Sequence, residues 1–273
     1  MTSPAPSEPV RPPLQRVCIC VPTYNEAENL EAVVARIREA VPEADVLVLD
    51  DNSPDGTGAI ADRLAEADDR VHVLHRPGKE GLGPAYLAGF AWAQERGYDA
   101  VVEIDADGSH QPERLPALLA AADHADVVIG SRWIPGGSVH NWPAHRRLLS
   151  VGANTYARLA LGIPVRDATA GFRVYRTSAL GAMGTQDVAS QGYCFQVDLT
   201  VRALDRGLTV LEIPIDFVER ELGDSKMNDA IVREAAVRVG VWGAHRRWRQ
   251  VGERLRLRRR SSGWHHLEEN RDT

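Results

Sequence analysis

Along the first half of the chain, short apolar runs alternate with stretches whose apolar residues recur every three or four positions. Val17–Val21, Asp45–Leu49, Val71–Leu74, Ala100–Ile104 and Val127–Ile129 have the length and β-branched content of buried strands. After the first run, Leu30, Val33, Val34, Ile37 and Val41 share one face of a helix within Glu26–Val41. The same spacing predicts helices at about Thr57–Ala67, Pro84–Arg96 and Pro112–Ala122. Strict strand–helix alternation implies an α/β fold, a mainly parallel sheet with helices on both faces. Right-handed crossovers then gather the loops after the strands at one edge of a Rossmann-like half. The second half is less regular. Gly136-Gly137 marks a loop, His145–Leu161 a helix, Phe172–Tyr175 a short strand, Phe195–Arg206 a helix, and Leu208–Ile213 a strand ending at Pro214.

The composition of the 273 residues, 44% hydrophobic and 26% charged, suits one large domain with short tails. No apolar run approaches the ~20 residues of a membrane span. The Pro- and Ser-rich start lacks the pattern of a signal peptide, so residues 1–15 are expected to be a disordered tail. Residues 16–230 form the folded domain, 231–260 a basic amphipathic helical segment, and 261–273 a polar tail. Cys18, Cys20 and Cys194 show no zinc-like spacing and read as buried, inert thiols of a reducing compartment. A net charge of −6 argues against a general nucleic-acid binder. Charge is nonetheless uneven, with eight arginines against one glutamate between His245 and Arg260. Of 32 cationic residues only Lys79 and Lys226 are lysine, either by chance or because a compact ammonium is required there.

The run Val101–Gly108 ends in two aspartates, Asp105 and Asp107, one residue apart. Side chains at i and i+2 of an extended chain point the same way, so the pair can converge as hard oxygen ligands for Mg²⁺ or Mn²⁺. Such an ion suits a diphosphate leaving group. Three more polar segments follow predicted strands: Pro22-Thr23-Tyr24-Asn25-Glu26, Asp50-Asp51-Asn52-Ser53-Pro54-Asp55-Gly56-Thr57, and His75–Gly83. Each alone fits a capped turn. Their concurrence at one edge is what a set of ordinary turns leaves unexplained.

Together these segments resemble glycosyltransferase family two, which has the GT-A fold, over about Val17–Asn228. Within that family the likeness is to the polyprenyl- or dolichyl-phosphate mannosyltransferases. The resemblance implies that Pro22, Tyr24 and Glu26 line the nucleotide pocket, with Asp51, preferred over Asp50, on the base or ribose. Lys79 lies in a stretch similar to the family's K-x-G-L-G, either as a donor contact or as a solvated loop lysine. Asp105 and Asp107, with Ala106 between them, match the metal-binding D-x-D; Ser109 stands where some relatives have Gln and is a poor ligand. Arg220-Glu221-Leu222-Gly223-Asp224-Ser225-Lys226 resembles R-x-x-G-x-S-K, which implies that Arg220 and Lys226 clamp the donor diphosphate from a lid.

On the acceptor side, Arg146, Ser150 and Asn154 recur at i, i+4 and i+8 on one helical face. The resemblance assigns Arg132, Arg146 and Ser150 to the lipid phosphate, with Arg132 grouped with the twin aspartates as catalytic. Asp167–Arg173 resembles D-x-x-S-G-F-R with Ala170 for serine, as support for the site. Asp198, where other family members place a base, reads as a cap or scaffold, since a phosphate acceptor is already anionic at neutral pH. The implied reaction is inverting transfer of mannose from GDP-mannose to polyprenyl phosphate. A UDP-glucose-dependent glucosyltransferase is the alternative, and a non-catalytic nucleotide-sugar sensor a more distant one. Val241, Ala244, Trp248, Val251 and Leu255, ringed by Arg246, Arg247, Arg249 and Arg254, form a stripe for anionic headgroups, a solvated tail, or a dock for a multi-spanning membrane partner. Gly243 and Gly252 weaken that helix. The expected location is the cytoplasm, peripherally on the membrane's cytoplasmic face.

Overall fold

A computed structural model describes residues 11–185, 188, 193–219 and 236–248. The predicted alternation is realised as β1 (Val17–Thr23), α1 (Leu30–Ala40), β2 (Asp45–Asp50), α2 (Thr57–Ala67), β3 (Val71–His75), α3 (Leu82–Glu95) and β4 (Ala100–Glu103). A short turn of 3₁₀ helix at Pro112–Arg114 leads into α4 (Leu115–Ala121), followed by β5 (Val127–Ser131), β6 (Ser138–His140) and α5 (Ala144–Leu161). The rest comprises β7 (Arg173–Arg176), α6 (Thr177–Met183), α7 (Tyr193–Asp205), β8 (Val210–Pro214) and β9 (Asp216–Val218). Residues 236–248 are helical (α8).

Seven strands form one sheet in the order β3-β2-β1-β4-β7-β5-β8. Every pairing is parallel except those of β7, which runs antiparallel to β4 and β5. The period-two alternation of the strands feeds two cores. Cys18, Cys20, Leu47 and Tyr175 pack with Tyr86 and Phe90 of α3 on one face. Ile19, Val21, Val46 and Val174 pack with α1 and α4 on the other. All three cysteines are buried.

Within the stretch expected to be a tail, residues 1–15, the described residues begin at Arg11. Arg11 spans Asp126 and bonds Thr209 (3.0 Å), and the Gln15 and Arg16 amides donate to Asp99 (2.9 and 2.8 Å), so residues 11–15 are tied down. The chain beyond residue 248, including Val251, Gly252 and Leu255, lies outside the described residues.

Helix α8 packs against the second half of α5. Tyr156 Oη donates to the Ala236 carbonyl (3.1 Å), and Arg246 and Arg247 donate to the carbonyls of Leu161 (3.0 Å) and Leu159 (2.7 Å), capping α5. Gly243 is a packing residue in this interface: a Cβ there would sit 2.4 Å from the Ala160 carbonyl oxygen. Arg246 and Arg247 are thus engaged with the protein itself.

Candidate active site

Parallel registers bring the loops after β1, β2, β3, β4 and β5 to one edge. Thr23 pairs with Asp50, Asp50 with His75, and Cys20 with Glu103. Because β7 reverses direction between β4 and β5, the segment leading into it, Asp167–Phe172, arrives at this same edge.

The first two motifs interlock. Asn25 and Asn52 adopt left-handed backbone (φ 59° and 56°), a conformation asparagine tolerates better than most residues. The Asn25 amide donates to Ser53 Oγ (3.2 Å), that of Glu26 to Thr57 Oγ1 (2.9 Å) and that of Ala27 to Asp55 Oδ2 (3.1 Å). Burial pushes the Asp55 carboxyl up, but its bonds from Thr57 and Ala27 outweigh this and hold it below the ordinary value. Glu26 also receives the Asn29 amide (2.8 Å). Pro22 and Tyr24 are half-buried. Lys79 Nζ lies 4.0 Å over the Tyr24 ring, which joins the third motif to the first.

The two acids after β2 have different partners. Asp50 is buried and accepts from Ser53 Oγ (2.6 Å) and Thr23 Oγ1 (3.3 Å), a turn-forming role. Asp51 is paired with buried Arg76, whose other nitrogen reaches Glu80 (2.7 Å). Burial raises the Asp51 carboxyl and exceeds the opposing pull of Arg76. Arg76 carries no recognisable sequence signal beyond its place in the third motif.

Asp105 stands at the end of β4, half-buried, accepting from Tyr86 Oη (3.4 Å). Its amide donates to His110 Nδ1 (3.2 Å), and the His110 ring stacks on Phe172 and meets Phe217 edge-on. Gly171 faces the carboxylate: a Cβ there would lie 3.9–4.0 Å from the two Asp105 oxygens. Asp107 accepts from the Ser109 amide (3.1 Å), and Ala106 between them is buried. Ser109 Oγ is buried with no hydrogen-bond partner. Among the described residues no cluster of three or more His, Cys, Asp or Glu is positioned for a metal. Two carboxylates are nonetheless what Mg²⁺ or Mn²⁺ needs when substrate phosphates and water complete the shell, and an all-oxygen set favours such hard ions. The residues present fit such a cation.

Beneath Asp105, and unnoticed in the sequence, lies a buried polar network. Glu103 is fully buried, and burial pushes its carboxyl up to about 8. Gln196 of α7 donates to its Oε2 (2.8 Å), while Oε1 has no hydrogen-bond partner. Cross-strand from it, the buried Arg173 donates to the carbonyls of Ala168 (2.7 Å), Ala170 (2.7 Å) and Gln196 (3.1 Å). This arginine pins the Asp167–Phe172 segment against the site, the supporting role expected of its motif.

On the acceptor side, Arg132 follows β5 and forms a bidentate pair with Asp167 (both 2.8 Å), with Thr169 Oγ1 at 3.1 Å. Asn154 of α5 also bonds Thr169 (2.9 Å). Arg146 pairs with Glu219 and lies 4.4 Å over the Trp142 ring. Arg132 sits 5.4–5.7 Å from the rings of Trp133, Trp142 and Phe217. The indole N–H groups of Trp133 and Trp142 are buried without partners. Ser150, half-buried, lies one turn from Arg146 on α5. The aromatic shelf was not legible, since Trp133, Trp142 and Phe217 share no sequence spacing. Asp198 pairs with Arg202 within α7 (2.9 Å), a helix-internal contact. Arg220 and Lys226 lie outside the described residues.

Residues 18–184 match the model of the family described as glycosyl transferase family 2. The chain is similar to polyprenol monophosphomannose synthase of Mycolicibacterium smegmatis, 56% identical over 85% of this chain and 88% of the relative. It is similar also to undecaprenyl-phosphate mannosyltransferase of Micrococcus luteus, 54% identical over 89% and 100%. Among solved structures it resembles a mannosyltransferase of Pyrobaculum calidifontis in complex with GDP-Man and Mn²⁺. The TM-score is 0.54 at 20% identity, covering 87% of this chain and 65% of that one.

Proposed function

The chain belongs to glycosyl transferase family 2, and from that premise we propose that it moves mannose from GDP-mannose to a polyprenyl phosphate, releasing GDP. That it is a hexosyltransferase follows from the family and its mannosyltransferase relatives. The acceptor class rests on relatives more than half identical over most of the chain. The donor draws support from the GDP-Man complex of the Pyrobaculum protein. The observation that carries the reading is the shared edge, with Asp105 after β4 and the arginine–aromatic cluster of Arg132 and Arg146 after β5.

Bound by Asp105 and Asp107, Mg²⁺ or Mn²⁺ would neutralise the departing diphosphate. The remaining steps fall to the protein. Tyr24, Glu26, Lys79 and the Asp51–Arg76 pair wall the nucleotide side, and Arg220 and Lys226 are assigned to the diphosphate by their motif. Arg132, Arg146 and Ser150 orient the acceptor phosphate, whose second pKa near ~6 leaves it anionic at neutral pH. One of its oxygens bonds to the anomeric carbon as the bond from that carbon to the diphosphate oxygen breaks, inverting the α-linked donor to a β-linked product. No side chain needs to remove a proton, in keeping with Asp198 being tied to Arg202. Since the acceptor is a lipid and the buried thiols suit a reducing compartment, the work is done peripherally at the cytoplasmic face of a membrane.

The decisive assay incubates the protein and Mn²⁺ with polyprenyl phosphate and labelled GDP-mannose or UDP-glucose, then extracts lipid. Label from GDP-mannose alone is expected. Label from UDP-glucose alone would replace the donor, and none from either would overturn the reading.

A further inference from the structure

Helix α5, which carries Arg146 and Ser150, and α8, packed on its second half, share a composition that the rest of the chain does not. α5, AHRRLLSVGANTYARLAL, has three arginines, a histidine and no carboxylate. Residues 236–248 of α8 likewise carry three arginines, a histidine and no carboxylate. A chain with 38 acidic residues in 273 would by chance place about four in those two stretches.

Of the ten exposed large hydrophobic residues among the described residues, eight lie on these two helices. On α5, Leu148 (73% exposed), Leu149, Val151, Tyr156 and Leu159 (63%) face solvent. Leu148, Val151 and Leu159 recur at i, i+3 and i+11, one stripe of a helix, while the opposite face buries Asn154, Ala157 and Leu161. On α8, Val237 (68%), Val241 and Trp248 (81%) recur at i, i+4 and i+11. Scattered exposed leucines need no explanation, but two such stripes on helices locked side by side do. The lock is specific: Gly243 against Ala160, Tyr156 against Ala236, and Arg246 and Arg247 on the last carbonyls of α5. His145 and Arg147 edge the apolar stripe at its N-terminal end.

We infer that the outward face of α5, flanked by α8, seats on an anionic bilayer, so that the lipid acceptor's phosphate reaches Arg146 on the inner side of the same helix. Apolar side chains edged by a cation, on helices that carry no carboxylate of their own, are the pattern of a helix lying in a headgroup layer. Trp248 has the amphipathic ring favoured at that depth. A second copy of this chain fits less well, because both faces would bring arginines and no helix-borne carboxylate to the seam. The seat itself stands on the surface alone; only its link to Arg146 rests on the proposed acceptor.

The test is co-sedimentation with vesicles of phosphatidylcholine, with and without phosphatidylglycerol, for the wild type, the double variant Leu148→Glu/Leu159→Glu, and Trp248→Ser. Transfer to a short-chain prenyl phosphate in detergent is measured in parallel. Wild type should bind the anionic vesicles, and lose them as salt rises. The double variant should bind roughly tenfold or more weakly, and Trp248→Ser less severely, while transfer in detergent is unchanged. Anionic-vesicle binding that both variants retain would overturn the proposal, as would a wild type that ignores vesicles or self-associates through this face. Vesicle binding without any transfer in detergent would leave the seat standing and remove the mannosyltransferase reading.

Discussion

Arg132 and Arg146, assigned to the acceptor phosphate, each already hold a carboxylate, Asp167 and Glu219. The two pairs differ in depth. Asp167 is fully buried, and burial alone would raise its carboxyl; the Arg132 guanidinium and amide, with Arg173 behind, outweigh this and hold it below the ordinary range. A folded-state value beneath the unfolded one gives stability that is full above about 3.9 and lost as pH falls through the folded value. Asp167→Asn should therefore flatten the acid limb of a melting-temperature profile below about pH 4. It should also cost about 3–5 kcal/mol at neutral pH, because an ion pair whose carboxylate is fully withdrawn from water is broken. A variant whose acid limb matches wild type would remove this pair from the forces holding the site. Such pairings are where sequence reading ran out. The D-x-D pair was legible because its spacing is local. Arg132–Asp167, Arg76–Asp51 and Glu103–Gln196 join residues 25 to 93 positions apart, and no local pattern announces them.

At the scale of elements, the strands and helices of the first half were legible because each is a run of one period between polar turns. β7 was placed within a residue, yet its reversal was not readable, since a four-residue strand buried on both faces carries no directional signal. That reversal delivers Gly171 to Asp105. The parallel pair β6–β9 went unseen, as three-residue strands lie below what alternation can mark. In α8 the part played by Gly243 is the reverse of the one expected from the sequence, packing in place of weakening. A methyl group on Gly243 must displace the backbone at Ala160, so Gly243→Ala should cost about 1–3 kcal/mol. It should speed amide exchange across 236–248 while leaving the sheet protected. Unchanged exchange there would mean that Tyr156, Arg246, Arg247 and the packing of Val239 hold α8 without the close approach at Gly243.

For the molecule as a whole, the question is whether the cation belongs to the fold or to the substrate. The two cores are continuous across both faces of the sheet, and among the described residues no metal cluster ties elements together. Chelator alone should therefore leave the melting temperature unchanged. Two carboxylates hold a hard cation weakly until a diphosphate supplies further oxygens, so Mn²⁺ and GDP should stabilise together far more than either singly. At about one hundred times the dissociation constant the linked gain is about 2.7 kcal/mol, which for a domain of this size corresponds to roughly 5–10 °C. Asp107→Asn should melt like wild type without ligands, lose most of that joint shift, and transfer no sugar. A variant that keeps the full shift would show that the diphosphate is gripped by other residues, and the twin aspartates would then have to be explained as turn formers. Loss of the fold in chelator would instead make the ion structural, which two carboxylates of one loop after β4 are poorly placed to support.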